Sequence, residues 1–173
     1  MASYYGAMER DKVLAALNWE SRRTAALLGV LNRAVGARLG LNPTDIDILG
    51  LLSVTGTITP KRLSEISGLG TGTVTLVIDR LEKAGFVQRV PGPKDRRSIL
   101  IELLPGRQGE AAGLYAQVQQ AGEQLLAEYD DRDLTLISEY LRRSNDMLRD
   151  TTAELLKSTP PSTGRQPSGA GPG

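Results

Sequence analysis

The 173-residue sequence contains no cysteine and no histidine. Thiolate and imidazole groups are the usual protein ligands of zinc, copper, haem and iron–sulfur clusters. Their absence argues against such sites, against thiol redox sensing and against histidine-based catalysis. We also find no nucleophile–base pair and no glycine-rich phosphate loop after a strand. The sequence therefore predicts no metal site, no cofactor and no enzymatic activity.

Long apolar runs are missing as well. A membrane-spanning helix needs roughly 20 consecutive apolar residues, and no stretch of the sequence approaches that length. The first residues, MASYYGAMERDKV, lack the extended apolar core of a secretory signal. A composition of 40% apolar and 24% charged residues is ordinary for a globular domain. These observations predict a cytoplasmic protein.

Net charge is only +1, but the charges are unevenly distributed. Residues 59–107 hold nine Lys and Arg against five Asp and Glu, whereas residues 108–157 hold five against ten. A basic middle segment favours an anionic partner for that segment. Chance scatter of surface charge would explain the same numbers, so the motifs within the segment must decide.

Apolar spacing predicts long helices at both ends of the chain. Steps of three and four residues indicate one helix over 9–39 and two more over 108–129 and 133–156. The last residues, 158–173, are rich in Pro, Gly and Ser and contain almost no bulky apolar side chain. That composition predicts a disordered tail.

Three shorter helices are predicted in the middle of the chain. Asn42 is a candidate N-cap for the first of them, with Pro43 at its first position and Asp45 three residues after the cap. The second begins at Thr59 and ends at a glycine turn. The third covers residues 71–84 and has an apolar stripe on one side. A short helix, a tight turn and a second helix are typical of a helix-turn-helix.

A β-hairpin is predicted directly after the helix-turn-helix. The apolar segments FVQRV (86–90) and ILIEL (99–103) flank the loop PGPKDRRS (91–98). Proline and glycine already supply what a turn needs. The loop nevertheless carries one carboxylate and three cations, namely Lys94, Asp95, Arg96 and Arg97.

These elements in this order predict a winged helix that binds DNA. The second helix of such a motif enters the major groove, and its first residues meet base edges. The side chains at that end lie away from the apolar stripe, and further along two cations suit phosphates. The first set is Thr71, Thr73, Thr75 and Leu76, and the second is Arg80 and Lys83. Helix capping is the simpler explanation for the threonines.

The charged hairpin tip fits the adjacent minor groove. A narrow A·T-rich minor groove has an enhanced negative potential that attracts inserted arginine. Asp95 lies two residues before Arg97 and is able to hold its guanidinium in a forked ion pair. A solvated surface turn is the alternative explanation.

The stretch LSEISGLGTGTVTLVIDRLEKAGFVQRVPGPKDRRSILIEL (63–103) resembles the DNA-binding core of MarR-family transcription regulators. The resemblance rests on GTVTLVIDRLEKAGFV and on the Asp95-x-Arg97 pair of the wing. The preceding LGLNPTDIDIL (39–49) resembles actinobacterial members. The sequence departs from the family pattern at Gly70, where a Ser or Thr cap is usual, and at Leu104-Pro105. It departs also at Leu76, which favours a thymine methyl contact over a hydrogen bond.

The resemblance implies a mainly α-helical fold with a small hairpin wing. It implies a homodimer on a near-palindromic operator, with half-sites about 34–36 Å apart. Residues 1–40 and 108–157 would supply the dimerisation helices, and residues 41–107 the winged helix-turn-helix. Arg97 would enter the minor groove, Asp95 would brace it, and Arg96 would meet phosphate. The expected function is sequence-specific repression of nearby genes.

Many members of this family are released from DNA by a small phenolic or lipophilic molecule. Such a ligand binds between the dimerisation helices and the DNA-binding lobe. Trp19 and Tyr115 are the candidate ligand contacts here, although packing in the dimer core is the more ordinary role of helix-face aromatics. Two alternatives stay open: a winged-helix module that binds protein, and a DNA-binding regulator without ligand control.

Overall fold

The computed structural model describes residues 10–93 and 97–157. This part of the chain forms six helices and one two-stranded antiparallel sheet, which confirms the predicted mainly α-helical fold with a small hairpin. The elements in chain order are α1 Arg10–Leu39, α2 Pro43–Thr55, α3 Pro60–Ser67, α4 Thr71–Lys83, β1 Val87–Pro91, β2 Ile99–Leu103, α5 Pro105–Leu126 and α6 Asp131–Lys157. The predicted tail at 158–173 lies outside the described residues.

The start of α2 is fixed by a capping box, as the sequence predicts. The side chain of Asn42 accepts a hydrogen bond from the Asp45 amide at 2.9 Å, and the Asp45 carboxylate accepts one from the Asn42 amide at 3.2 Å. Two backbone donors that the first turn leaves unpaired are satisfied in this way. Pro43 occupies the first helical position, where its missing N–H costs nothing.

Helices α3 and α4 form the helix-turn-helix. The Thr59 hydroxyl caps α3 by accepting from the Arg62 amide at 3.1 Å. Gly68 ends α3 in the left-handed conformation, at φ +71°, which a residue without a Cβ adopts at no steric cost. Gly70 then precedes α4 and makes no side-chain cap.

One apolar core holds α4 against the rest of this region. The stripe Val74, Val77, Ile78 and Leu81 is buried, as the spacing predicts. Burying each such side chain stabilises the fold by about 1.5–3 kcal/mol before entropy is counted. The remaining buried apolar residues come from α1, α2, α3, the α4–β1 connection and the hairpin: Val35, Leu39, Ile46, Ile48, Leu52, Leu63, Phe86, Val87 and Ile101.

The hairpin, here called the wing, pairs Val87 with Leu103 and Pro91 with Ile99. The amide of Gly92 donates to the Ser98 carbonyl at 2.8 Å and closes the neck of the loop. An isolated bridge joins β2 to the α2–α3 connection, because Ile58 and Ile101 exchange backbone hydrogen bonds at 2.8 and 3.1 Å. The wing is therefore attached to the helix-turn-helix through its second strand.

The bounds predicted for the fifth helix are wrong at both ends. Helix α5 begins at Pro105 rather than 108, because proline suits the first helical position and the Gln108 amide already donates to Leu104. It ends at Leu126 rather than 129, where tighter backbone bonds to Leu125 and Leu126 replace the helical pattern. Helix α6 follows, and the side chain of Asp130 accepts from the Asp133 amide at 2.9 Å.

The chain divides into two compact units after Glu123. The first contains α1 to most of α5 and includes the core described above. The second contains the end of α5 and all of α6, and none of the residues of α6 is buried. None of the described helices is long and apolar enough to cross a membrane.

Candidate nucleic-acid interface

The outward side of α4 carries the side chains predicted to meet DNA. The four residues expected in the major groove and the two expected on phosphates are all exposed, namely Thr71, Thr73, Thr75, Leu76, Arg80 and Lys83. Helical periodicity accounts for this arrangement, because they lie off the buried stripe. Gly72 lies on the same side and adds no side chain. The first two turns of α4 therefore expose mostly small side chains.

Two of these side chains have partners within the protein. The Thr75 hydroxyl donates to the Thr71 carbonyl at 3.0 Å, one turn back along α4. Arg80 donates from Nη2 to Oδ1 of Asp45 at 2.6 Å. The Arg80 side chain is still 47% exposed, and its hydrogen bond to Asp45 involves only Nη2 of its guanidinium. A phosphate contact by Arg80 would therefore use donors that Asp45 leaves available.

Arg89, which the sequence analysis did not single out, joins the wing to α4. Its guanidinium pairs with Asp79 at 2.5 Å and with Glu82, and its amide donates to Glu82 at 3.2 Å. The hydrogen bond to Asp79 raises the pKa of Arg89 above its usual value. Two carboxylates three residues apart on one helix face, followed by a lone arginine in a strand, were the available signal.

The tip of the wing falls largely outside the described residues, which exclude Lys94, Asp95 and Arg96. Arg97 is described. It is exposed and lies in the turn that leads into β2, beyond the bond that closes the neck. The predicted pairing of Asp95 with Arg97 stays a prediction.

A cavity of about 460 Å³ lies between α1, α2, α5 and the base of the wing. Its walls are mostly apolar and include Val35, Ile46, Leu49, Phe86 and Leu103. The described lining carries no charged side chain. An uncharged, largely apolar molecule is the ligand that such a surface suits.

Tyr115 lines this cavity and Trp19 does not. The Tyr115 hydroxyl donates to the Asn32 side chain at 2.9 Å, and burial raises the pKa of Tyr115. Trp19 is 66% exposed and lies in the same helix as Asn32. At 1.5 Å per residue, the two positions are about 20 Å apart along α1. The structure therefore does not bring the two predicted ligand contacts together at this cavity.

No group of three acidic, cysteine or histidine side chains suited to a metal ion occurs among residues 10–93 and 97–157.

A helix-turn-helix with an exposed second helix, and a hairpin fixed beside that helix, together define the winged-helix class of DNA-binding proteins.

Comparison with known proteins identifies the family within that class. Residues 41–99 match the family model described as MarR family. The Bacillus subtilis protein named "Uncharacterized HTH-type transcriptional regulator YcgE" is 32% identical over 126 residues, which are 73% of this chain and 82% of that protein. The chain belongs to the MarR family of DNA-binding transcriptional regulators. It is therefore a regulator and not an enzyme.

Other proteins are similar to this chain over shorter stretches of sequence or in fold. The "Multiple antibiotic resistance protein MarR" of Salmonella typhimurium is 30% identical over 97 residues, which are 56% of this chain and 65% of that protein. A MarR family protein from Bacillus stearothermophilus has a similar fold, with a TM-score of 0.59 and 23% identity. That match covers 82% of this chain and 99% of the other. A transcriptional regulator from Thermotoga maritima gives a TM-score of 0.56, also at 23% identity, over 80% and 98% of the two chains.

Proposed function

We propose that the protein is a homodimeric repressor of nearby genes, released from a near-palindromic operator by an uncharged apolar ligand. The observation that carries the proposal is the clasp of Arg89 on Asp79 and Glu82. It joins the wing to α4, so one surface offers both a helix for the major groove and a hairpin for the minor groove.

The proposed DNA contacts divide by groove and by chemistry. Thr71, Thr73, Thr75 and Leu76 face base edges in the major groove. Arg80 and Lys83 contact phosphates, which positions the helix without reading sequence. Arg97 enters the minor groove beside Asp95, while Lys94 and Arg96 contact the backbone around it.

Anisotropy with labelled duplex DNA tests these contacts. The probe is the tightest-binding duplex that the full chain selects from a random library. Arg97→Ala should weaken binding by about 1–3 kcal/mol and make the salt dependence shallower by roughly one phosphate contact. Arg23→Ala is the matched control, because Arg23 is an exposed cation of α1 paired with Glu20. Equal effects of the two variants, or binding that does not distinguish selected from scrambled DNA, would contradict the proposal.

Exposed apolar side chains on α1 and α6 support the homodimer. Each helix is long, and a long helix with exposed leucines needs a partner surface. On α1 these residues are Leu14, Leu17, Trp19, Leu27, Leu28 and Val30, and on α6 they are Leu136, Tyr140, Leu141, Met147, Leu148, Leu155 and Leu156. Two-fold pairing would also match a palindromic site.

Sedimentation equilibrium measures the assembly directly. The expected mass is twice the 18.6 kDa of one chain. Leu148→Glu should shift the equilibrium toward monomer and weaken operator binding together, because burying an unpaired charge is costly. A monomeric wild type that binds the selected duplex tightly would exclude the dimer.

The cavity lined by Tyr115 supports ligand control. A ligand releases DNA only if it binds better to an arrangement of the protein that fits the operator poorly. Ala112 lines the cavity, so Ala112→Phe should fill part of it. In a screen of uncharged phenols and matched benzoates against the protein–DNA complex, we expect phenols to release the wild type. The filled variant should bind DNA and resist release, and equal release of both proteins would argue against this cavity.

A further inference from the structure

We propose that Leu76 reads the 5-methyl group of a thymine, so that each half-site of the operator contains one T·A pair selected by apolar contact. This inference rests on the proposed placement of α4 in the major groove. It adds the chemical identity of the base feature that the helix recognises.

Leu76 lies at the centre of the exposed side of α4. With 100° between successive residues, the buried stripe of Val74, Val77, Ile78 and Leu81 defines one side of the helix. Leu76 projects from the opposite side and is 61% exposed. A scattered exposed leucine is common on protein surfaces. Among the residues with a side chain in the two turns that meet base edges, this one points most directly away from the core.

Gly72 leaves room for the Leu76 side chain to reach a base. Side chains in a helix lean toward its N-terminus, so the Leu76 side chain leans in the direction of Gly72 without covering it. A Cβ added at Gly72 would meet nothing within 4 Å. The isobutyl group is therefore not shielded from that direction, and the helix backbone itself is able to approach the groove floor closely.

Three polar side chains near Leu76 already have partners. Thr75 donates its hydroxyl to the Thr71 carbonyl, which leaves its methyl group as the more available part. Asp79 accepts from Arg89 at 2.5 Å, and Arg80 donates to Asp45 at 2.6 Å. The surface around Leu76 therefore has less hydrogen-bonding capacity to spend on bases than its composition suggests.

Thymine is the base whose major-groove edge presents a methyl group. An exposed leucine gains by removing apolar area from water, and it gains nothing from the donors and acceptors of the other bases. Contact between Leu76 and the C5-methyl group therefore discriminates thymine from cytosine at the same position. A neighbouring Thr75 methyl extends the apolar patch.

The test uses the full chain and the duplex selected from a random library. Each thymine is replaced in turn by deoxyuridine, which removes only the methyl group. At one position in each half-site, we expect wild type to lose roughly fourfold in affinity, since one buried methyl-sized group contributes about 0.8 kcal/mol and 1.4 kcal/mol is tenfold. Leu76→Ala should bind the thymine and deoxyuridine duplexes equally, while Leu76→Met should keep most of the difference.

A second probe places 5-methylcytosine at the same position. Wild type should bind it more tightly than unmethylated cytosine, and Leu76→Ala should not distinguish the two. If no thymine is sensitive to demethylation, or if the sensitivity persists in Leu76→Ala, the inference is wrong although operator binding stands. If no duplex is enriched by the selection, both the inference and the proposed function fail.

Discussion

Arg80 of α4 and Asp45 of α2 form an ion pair of 2.6 Å across 35 residues of sequence. Asp45 is only 3% exposed, and its second oxygen accepts from the Asn42 amide. One carboxylate thus caps α2 and holds α4 to it. A buried carboxylate needs partners of this kind, because leaving it unpaired costs several kcal/mol.

We predict that Asp45→Ala destabilises the fold more than Asn42→Ala. Loss of the Asn42 cap should cost about 1 kcal/mol. Asp45→Ala also removes the partner of Arg80, and the total should reach about 2–3 kcal/mol, limited by the solvation that the half-exposed Arg80 retains. Urea unfolding of the two variants measures the difference. Equal midpoints would show that the ion pair adds nothing to stability.

Arg89→Met should weaken DNA binding by roughly 3- to 10-fold, while unfolding changes by no more than about 1 kcal/mol. The methionine keeps an apolar chain but loses the pairs with Asp79 and Glu82, so the wing is no longer held at a fixed angle to α4. Anisotropy measures the DNA affinity, and urea unfolding measures the free energy of unfolding. Arg23→Met, which breaks an exposed pair within α1, serves as control and should change neither. Wild-type affinity in Arg89→Met would show that the clasp does not position the wing.

Alanine should have opposite effects at two glycines of α1. At Gly36 an added Cβ would lie 3.0 Å from the Leu41 carbonyl oxygen and 3.1 Å from Cγ1 of Ile46. Overpacking of this kind costs about 1–3 kcal/mol. At Gly29 the nearest atom is 3.8 Å away, so Gly29→Ala should stabilise by about 0.5–1 kcal/mol through helix propensity. Thermal unfolding measures the stability of both variants against wild type. A Gly36→Ala variant that is more stable than wild type would mean that α1 and α2 separate more readily than their contact suggests.

Burial raises the pKa of Tyr115, and stability should depend on pH accordingly. The folded state holds the phenolic proton more tightly than the unfolded state. The contribution of Tyr115 to the free energy of unfolding is therefore complete below its unfolded pKa of about 10. That contribution is lost as pH rises through the pKa of the folded state. Unfolding free energy should fall above about pH 10 more steeply in wild type than in Tyr115→Phe. The fall should persist in Tyr140→Phe, which changes an exposed tyrosine of α6. An unchanged profile in Tyr115→Phe would assign the loss to other groups.

Features that depend on nearby residues were predictable from the sequence. The Asn42 cap, Pro43 at the first position of α2 and the buried stripe of α4 all follow from spacing within about one or two turns. The hairpin followed from two short apolar segments around a Pro- and Gly-rich loop. The segment GTVTLVIDRLEKAGFV and the Asp95-x-Arg97 pair of the wing together carried the resemblance to the family.

Features that depend on distant residues were not predictable. The pairing of Asp45 with Arg80 and the clasp of Arg89 need the tertiary fold, because no periodic pattern links residues so far apart. The start of α5 at Pro105 was not predicted, because a proline after a strand is as consistent with a break as with a first helical turn. Trp19 is separate from the cavity because α1 is long and places Trp19 about 20 Å along its axis from Asn32, the partner of Tyr115.

The backbone hydrogen bonds of the wing limit the addition of a further strand to its edges. On the outward side of β1, Pro91 has no amide hydrogen and the Arg89 amide is bonded to Glu82. The outward side of β2 is occupied at Ile101 by Ile58. An incoming strand from an unfolded neighbour or an extended peptide finds few main-chain groups to pair with. Addition of a strand to the wing is thus disfavoured, and a protein partner would bind the wing through side chains rather than by adding a strand.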